Sequence, residues 1–198
     1  MIKRLLIVIL IGLITSCAQK PPADLTGFHY SHQLTLLADL ENWEVSGRMS
    51  IQTQEDAFSA SFKWRKLINY QRIEITGMLG QTYAILEIEP DKTLLTIKDE
   101  APVLTNNLDE LMWSRLGFTI PVELLTSWIK AYPFSQSEGE INTDKDGFIQ
   151  DMSYRGWQAK YKRYKKFTEI NTLYLPSRTT VTNSRETIKL AVKEWQPL

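Results

Sequence analysis

The chain has 198 residues, with 23 Lys and Arg against 23 Asp and Glu, and a formal net charge of zero. That length is enough for one domain with a sizeable core and does not demand two. A balanced charge leaves no surplus of cations to neutralise phosphates, which argues against a nucleic-acid partner.

The chain opens MIKRLLIVILIGLITSC. Lys3 and Arg4 make a short basic start, Leu5 to Ile14 an apolar run, and Thr15 and Ser16 lead to Cys17, the only cysteine. These are the three parts of a secretory signal. The apolar run is about half of the roughly 20 residues that a membrane-crossing helix needs, so it is a poor permanent span. Ile14-Thr15-Ser16-Cys17 resembles a bacterial lipobox. That resemblance implies cleavage before Cys17, an S-linked diacylglycerol on it and an N-acyl group on the new amino terminus, with no other cofactor. Several acyl chains hold a protein to a bilayer where one does so only weakly. The alternative is an ordinary free thiol, which would be reactive and unusual as a single cysteine in a secreted protein. Residues 1–16 are therefore expected to be removed, and with them Lys3 and Arg4, leaving 182 residues with 21 basic and 23 acidic side chains. In lipoproteins resembling this one, aspartate after the cysteine often marks retention in the inner membrane. Ala18 at that position points to the outer membrane.

Residues 17–30 hold Pro21, Pro22 and Gly27 without periodicity and read as a lipidated tether. Residues 31–198 read as a single domain. Leucines at 34, 37 and 40 predict a short helix from Ser31 to Asn42, capped by Ser31. The period then changes to two. Trp43 to Thr53 reads as a strand, followed by a Gln-Glu-Asp turn. In the next strand Phe58, Ala60, Phe62 and Trp64 alternate with Ser59, Ser61, Lys63 and Arg65. Strands follow over 70–76, 82–89 and 93–98, making an antiparallel meander.

The centre reads as helical. Asn107 and Glu110 form a capping pair, Leu108, Leu111, Met112 and Leu116 share a face, and Gly117 stops the helix. Pro121 suits a first helical position, and Val122, Leu125, Trp128, Ile129 and Tyr132 continue at helical spacing up to Pro133. The tail returns to strands over 148–154 and 157–162, then 171–175 and 178–182 on either side of Pro176, and finally 188–193. About ten strands and two or three helices predict a curved sheet with helices covering one face. Periodicity does not decide between a closed barrel and an open one.

Chemistry is sparse. His29 and His32 have metal-binding spacing but no carboxylate or thiolate in a matching pattern, so they read as solvated and no metal is expected. No nucleophile elbow, P-loop or dinucleotide fingerprint is present, and no catalytic residue is proposed. Glu138, Glu140, Asp144 and Asp146 read as solvated turns. The unusual segment is Thr76-Gly77-Met78-Leu79-Gly80-Gln81, where two glycines bracket two large apolar residues between good strands. A turn tip normally carries Asn, Asp or Ser. Leaving a large apolar side chain in water costs about 1.5–3 kcal/mol, so Met78 and Leu79 must either fold back under the sheet or have an apolar target.

The lipobox at Cys17, WEVSGRM (43–49), FSASFKW (58–64), YQRIEITGMLG (70–80), PVELLTSWIKAYP (121–133), Gly156-Trp157 and the terminal IKLAVKEW together resemble the LolB family. The likeness covers nearly all of the chain beyond the signal. It implies an unclosed antiparallel β-barrel of about eleven strands with a lid of two or three helices over an apolar cavity. It implies a monomeric outer-membrane lipoprotein, facing the periplasm, that does no covalent chemistry. Such a protein accepts triacylated lipoproteins from the periplasmic carrier LolA and inserts them into the inner leaflet of the outer membrane. In the family a leucine in a Pro-Leu-Gly connection protrudes and helps insertion. Leu79, before Gly80, matches that leucine, and Met78 stands where proline is usual. Proline would stiffen the tip, whereas methionine keeps it apolar and adaptable.

The candidate acyl-cavity lining is Phe62, Trp64, Ile73, Ile75, Leu86 and Ile88. Six Trp, eight Tyr and seven Phe are many for this size and need burial or an apolar guest. A lipid-anchored envelope scaffold with a filled core is the alternative in a different class, and an enzyme of cell-wall turnover comes third.

Overall fold

The computed structural model describes residues 30–77, 79–135 and 139–198. Cys17, the tether up to His29, Met78 and Glu138 lie outside them, and Tyr30, the last residue assigned to the tether, begins the first helix. The described residues form α1 (Tyr30–Asp39), β1 (Trp43–Gln52), β2 (Ala57–Leu67), β3 (Tyr70–Thr76), β4 (Thr82–Glu89), β5 (Lys92–Ile97) and β6 (Val103–Thr105). They continue with α2 (Leu108–Leu116), α3 (Val122–Trp128), β7 (Ile141–Thr143), β8 (Ile149–Tyr154), β9 (Trp157–Phe167), β10 (Ile170–Thr182) and β11 (Thr187–Pro197). All eleven strands join one antiparallel sheet in the order β6-β5-β4-β3-β2-β1-β11-β10-β9-β8-β7. The sheet is two meanders joined where β1 meets β11, and β6 and β7 are its two unclosed ends. The expected unclosed architecture is the one observed.

Alternation sets the faces. On β2, Ala60, Phe62 and Trp64 are buried while Ser59, Ser61, Lys63 and Arg65 are exposed. The inward side chains of strands as far apart as β5 (Leu95) and β8 (Met152) belong to one core, which requires the sheet to curl round them. Met112 of α2 and Val122, Leu125 and Trp128 of α3 fill the inside of that curl. At one end Trp43 meets Trp64 and Trp195 edge-on, with ring centroids 5.3 and 5.2 Å apart, an arrangement that adds to plain area burial.

Several bounds differ from expectation. α1 begins at Tyr30 and ends at Asp39, so Ser31 is its second residue and not its cap. Pro121 occupies the N-cap of α3 and not its first turn. The helix ends at Trp128, and Ala131 at φ 53° turns the chain away before Tyr132. β6 and β7 are three-residue edge strands, too short for alternation to reveal. The two strands expected around Pro176 are one strand, β10. β11 pairs with β10 only from Arg178 onward, so Pro176 stands where one side has no ladder to interrupt. Gln33 of α1 serves that unpaired stretch. Its Nε2 donates to the Tyr174 carbonyl at 3.0 Å, and its Oε1 accepts from the Tyr174 N–H at 3.1 Å.

Lys130 ties α1 to the end of α3. It is buried, and its Nζ donates to the carbonyls of Leu37 at 2.6 Å and Leu40 at 2.9 Å. These carbonyls lie in the last turn of α1 and just beyond it, where acceptors lack helical partners. Burial, with a smaller contribution from the Lys66 charge, pushes its pKa down to about 8. Between that value and the ordinary 10.5 the unfolded chain holds a proton that the folded chain has released, so stability rises with pH over that window. The thermal midpoint of the wild type should therefore climb between pH 8 and pH 10 relative to a Lys130→Met variant. Parallel midpoint curves would refute this.

The β1–β11 junction allows no side chain at Gly47. A β-bulge falls between Ser46 and Gly47, and a Cβ on Gly47 would sit 2.2 Å from the Ala191 carbonyl oxygen. Gly47→Ala is expected to lower the stability read from urea unfolding by about 1–3 kcal/mol.

Candidate functional site

Two places combine apolar character with access: the β3–β4 tip and the mouth between the sheet's two wings. At the tip the ladder shifts register between Ile75 and Thr76. The Gly77 N–H donates to the Gln81 carbonyl at 2.8 Å, and the Gly80 N–H to the Gly77 carbonyl at 3.0 Å. Gly80 has φ 82°, a conformation glycine adopts without steric penalty. The result is a tight, internally bonded tip. Leu79 does not fold back under the sheet. It is 93% exposed, against 64% for Ile68 and Leu104, the next most exposed large apolar residues described.

Of the six expected lining residues, Phe62, Trp64, Ile73, Ile75 and Leu86 are buried in the common core beneath the helices. Ile88 is half-buried and lines a cleft of about 540 Å³, within the roughly 300–1,000 Å³ of ligand pockets. Gln71, Ile88 and Thr93 form one wall of the cleft and Tyr154 and Trp157 the other, with the first turns of α2 and α3 between them. The cleft therefore lies at the seam of the open sheet, where the two wings approach across the helical cover. Gln71 ties α3 to its own wing: its Oε1 accepts from Trp64 Nε1 at 3.3 Å and from Thr126 Oγ1 of α3 at 3.2 Å.

The cover has defined ends. Asn107 Oδ1 accepts from the Glu110 N–H at 3.3 Å while its Nδ2 donates to Glu110 Oε2 at 2.8 Å, and Gly117 closes α2 in the left-handed conformation. Both are as the sequence predicts. Glu186 escaped the sequence reading. It is 3% exposed in the β10–β11 turn and accepts from the Thr119 N–H and from Thr119 Oγ1, both at 3.1 Å. Thr119 joins α2 to α3, so this contact pins the cover to the sheet. Burial raises the pKa of Glu186, opposed by the Thr119 donors. A single carboxylate in a polar turn reads as solvated, and its partner is 67 residues away, so nothing local reveals it.

Among the described residues no group of His, Cys, Asp or Glu is placed to hold a metal ion, and His32 is exposed. No described helix is long and apolar enough to cross a membrane.

Thr119→Val removes the hydroxyl donor and leaves the Glu186 carboxylate with the backbone N–H alone. The expected result is a loss of about 1–3 kcal/mol, with faster amide exchange over residues 117–121. Glu186→Gln keeps an acceptor and should stay near wild type. Equal exchange in all three proteins would show that the contact does not fasten the cover.

Residues 41–195 match the model of the family described as outer membrane lipoprotein LolB. Relatives named outer-membrane lipoprotein LolB include one from Ectopseudomonas mendocina, 28% identical over 202 residues and covering 100% of this chain and 98% of the relative. One from Pseudomonas syringae pv. syringae is 24% identical over 201 residues, covering 99% and 97%. One from Pseudomonas putida is 28% identical over 161 residues, covering 81% and 77%. Among solved structures, a LolA superfamily protein from Nitrosomonas europaea aligns with TM-score 0.51 at 7% identity, over 85% of this chain and 93% of that one. A DUF1329 family protein from Desulfovibrio piger aligns with TM-score 0.54 at 8% identity, over 85% and 91%. At such identities these structures bear on the fold alone. With the family model matched over residues 41–195, the chain belongs to the LolB family of outer membrane lipoproteins.

Proposed function

We propose that this chain is a receptor anchored through acyl groups on Cys17 to the periplasmic side of the outer membrane. It takes the acyl chains of a triacylated lipoprotein from a LolA-like carrier and releases them into the inner leaflet, as a monomer and without covalent chemistry. The observation that carries this reading is Leu79: a leucine 93% exposed at the end of a hairpin is unfavourable in water and favourable in a bilayer.

The interior supports the other half of the reading. Each buried methylene contributes roughly 0.8 kcal/mol, so a three-chain anchor strongly prefers an apolar container to water. The container in this reading is the face of β2–β4 bearing Phe62, Ile73, Ile75 and Leu86, which shares one buried core with Met112 of α2 and Val122, Leu125 and Trp128 of α3. A guest entering at the cleft beside Ile88 exchanges contacts with the cover for contacts with its own chains. That exchange keeps apolar surface out of water throughout. The Thr119–Glu186 contact leaves the cover attached at one end while the rest moves. Direction comes from differences in affinity, the receptor binding better than the carrier and the membrane better than the receptor.

Uptake and release are separable measurements. Leu79→Glu should leave transfer of lipoprotein from the carrier within about twofold of wild type, a change below 0.5 kcal/mol, and should strongly reduce delivery to liposomes. Undiminished delivery would sink the role given to the tip, and failure of the wild type to take up cargo would sink the receptor reading.

A further inference from the structure

The outward face of the sheet carries its charges in two ways. Toward one end they are matched. Lys63 and Arg65 both reach Glu44, at 3.0 and 2.8 Å, and Arg72 meets Glu87 at 2.9 Å. Further along the strands the matching stops. Register sets Arg48 opposite Ala191, Ala191 opposite Arg178, and Arg178 opposite Lys162. In the adjoining row Lys189 faces Ser50 on one side and Thr180 on the other. All four cations are exposed, and none forms an ion pair among the described residues. Lys162 and Arg178 stand directly opposite each other, which destabilises an antiparallel pair. Folding alone gives no reason for that juxtaposition. Small side chains between the cations (Ser50, Ser59, Ser61 and Ala191) leave a groove of about 540 Å³ walled by Arg48, Arg178 and Lys189. The adjoining row continues from Thr180 to Lys160 and ends at the carboxylate of Asp151, which lies opposite Lys160 and accepts from Asn142 at 2.9 Å; the Arg48 row meets no such carboxylate among the paired residues.

The same row leads to the apolar tip. Ser61 faces Arg48 on one side and Thr76 on the other, and Thr76 is the last residue of β3 before the tip. With strands about 4.8 Å apart, Arg48 lies roughly 10 Å and Lys162 roughly 25 Å across the sheet from β3.

We propose that this basic band docks the outward sheet face onto anionic phospholipid headgroups while Leu79 enters the bilayer beside it. The inference rests on the membrane role given to Leu79 and names the lipid chemistry that the surface reads. An acidic protein would also suit unpaired cations, but it gives no use for an exposed leucine at the end of the same row. Headgroup phosphates fit the groove, and a bilayer takes both the charge and the leucine in one plane. Each Lys or Arg near an anionic surface strengthens binding by about fivefold, an effect that salt weakens.

The chain from Ala18 onward contains the whole described sheet and core and lacks the anchor that would mask a weak surface affinity. Its binding is read by flotation with vesicles of phosphatidylcholine, alone or mixed with phosphatidylglycerol, at low and physiological salt. The wild type should float with the mixed vesicles and dissociate as salt rises. The variant Arg48→Glu/Arg178→Glu/Lys189→Glu should bind them more than a hundredfold more weakly, since removing three charges at about fivefold each already gives about a hundredfold and reversal adds repulsion. The corresponding Gln variant should fall between the two and covers the case in which charge reversal impairs folding. Equal binding of variants and wild type to the mixed vesicles overturns the proposal. So does a charge variant that keeps vesicle binding and loses only the carrier, which would make the band a protein dock. Delivery by Leu79→Glu is measured in parallel. If it stays intact while the charge variant still loses anionic vesicles, the band stands and the reading of the tip fails.

Discussion

Everything in this fold depends on β1 lying against β11. Each meander is a local structure made of consecutive hairpins. Neither can bury its apolar face alone, because an open sheet needs a second layer. Pairing the first strand with the last makes one sheet out of two and lets its inward side chains surround the helices. The pairing runs from Trp43 opposite Pro197 to Gln52 opposite Thr187, with a bulge at Ser46/Gly47. At Gly47 the two backbones come so near that a methyl group has no room. The bulge also bends the strand and increases its local twist. The junction that gives the molecule an inside thus runs through a position where only glycine fits, and Trp43, Trp64 and Trp195 close the end of the sheet beside it.

An inside formed this way is enclosed unequally. β1 and β2 are long and paired on both sides over most of their length, whereas β6 and β7 are three residues each and pair on one side only. Between those weak ends stands the helical cover, held by a few polar contacts: Lys130 to α1, Thr126 to Gln71, and Thr119 to Glu186. Apolar packing inside is extensive and non-directional, so it tolerates exchange of one apolar partner for another. The polar contacts are directional and fix where the cover can come away. In the proposed function the helices are therefore the replaceable part of the core and the long strands the permanent part.

Sequence periodicity revealed what is local. β3 and β4 follow from alternation to the residue, and the α2 caps follow from Asn107, Glu110 and Gly117. The β3–β4 tip announced itself by placing Met and Leu where a turn wants polar residues, although its direction could not be read from that. Three things were hidden, each for a physical reason. Edge strands of three residues contain too few alternations to register. Pro176 reads as a break unless it is known that β11 leaves that stretch of β10 unpaired. Nothing local marks Glu186 and Lys130 as buried, because their burial is created by segments 67 and about 90 residues away. The interior was legible as apolar, but whether a given side chain touches a helix or the cleft depends on how the cover sits. That is why Ile88 reaches the cleft while the other five of its set lie beneath α2 and α3.

The β3–β4 hairpin is where inside and outside meet. Its inward face carries Ile73, Ile75, Ala84 and Leu86, all against the core, and its end carries Leu79. A hairpin paired along its length behaves as a stiff ribbon, since bending it strains every rung of the ladder together. Whatever displaces the helices from Ile73 and Ile75 therefore pushes on the same ribbon that holds the leucine out. Softness sits at the register shift beside Ile75 and Thr76, one step before the tip, where a bulge can re-aim the residues beyond it. Under the proposed function, filling and emptying the interior thus has a short mechanical route to Leu79. The route needs no second domain and no bound nucleotide, only a sheet whose two faces have different solvents.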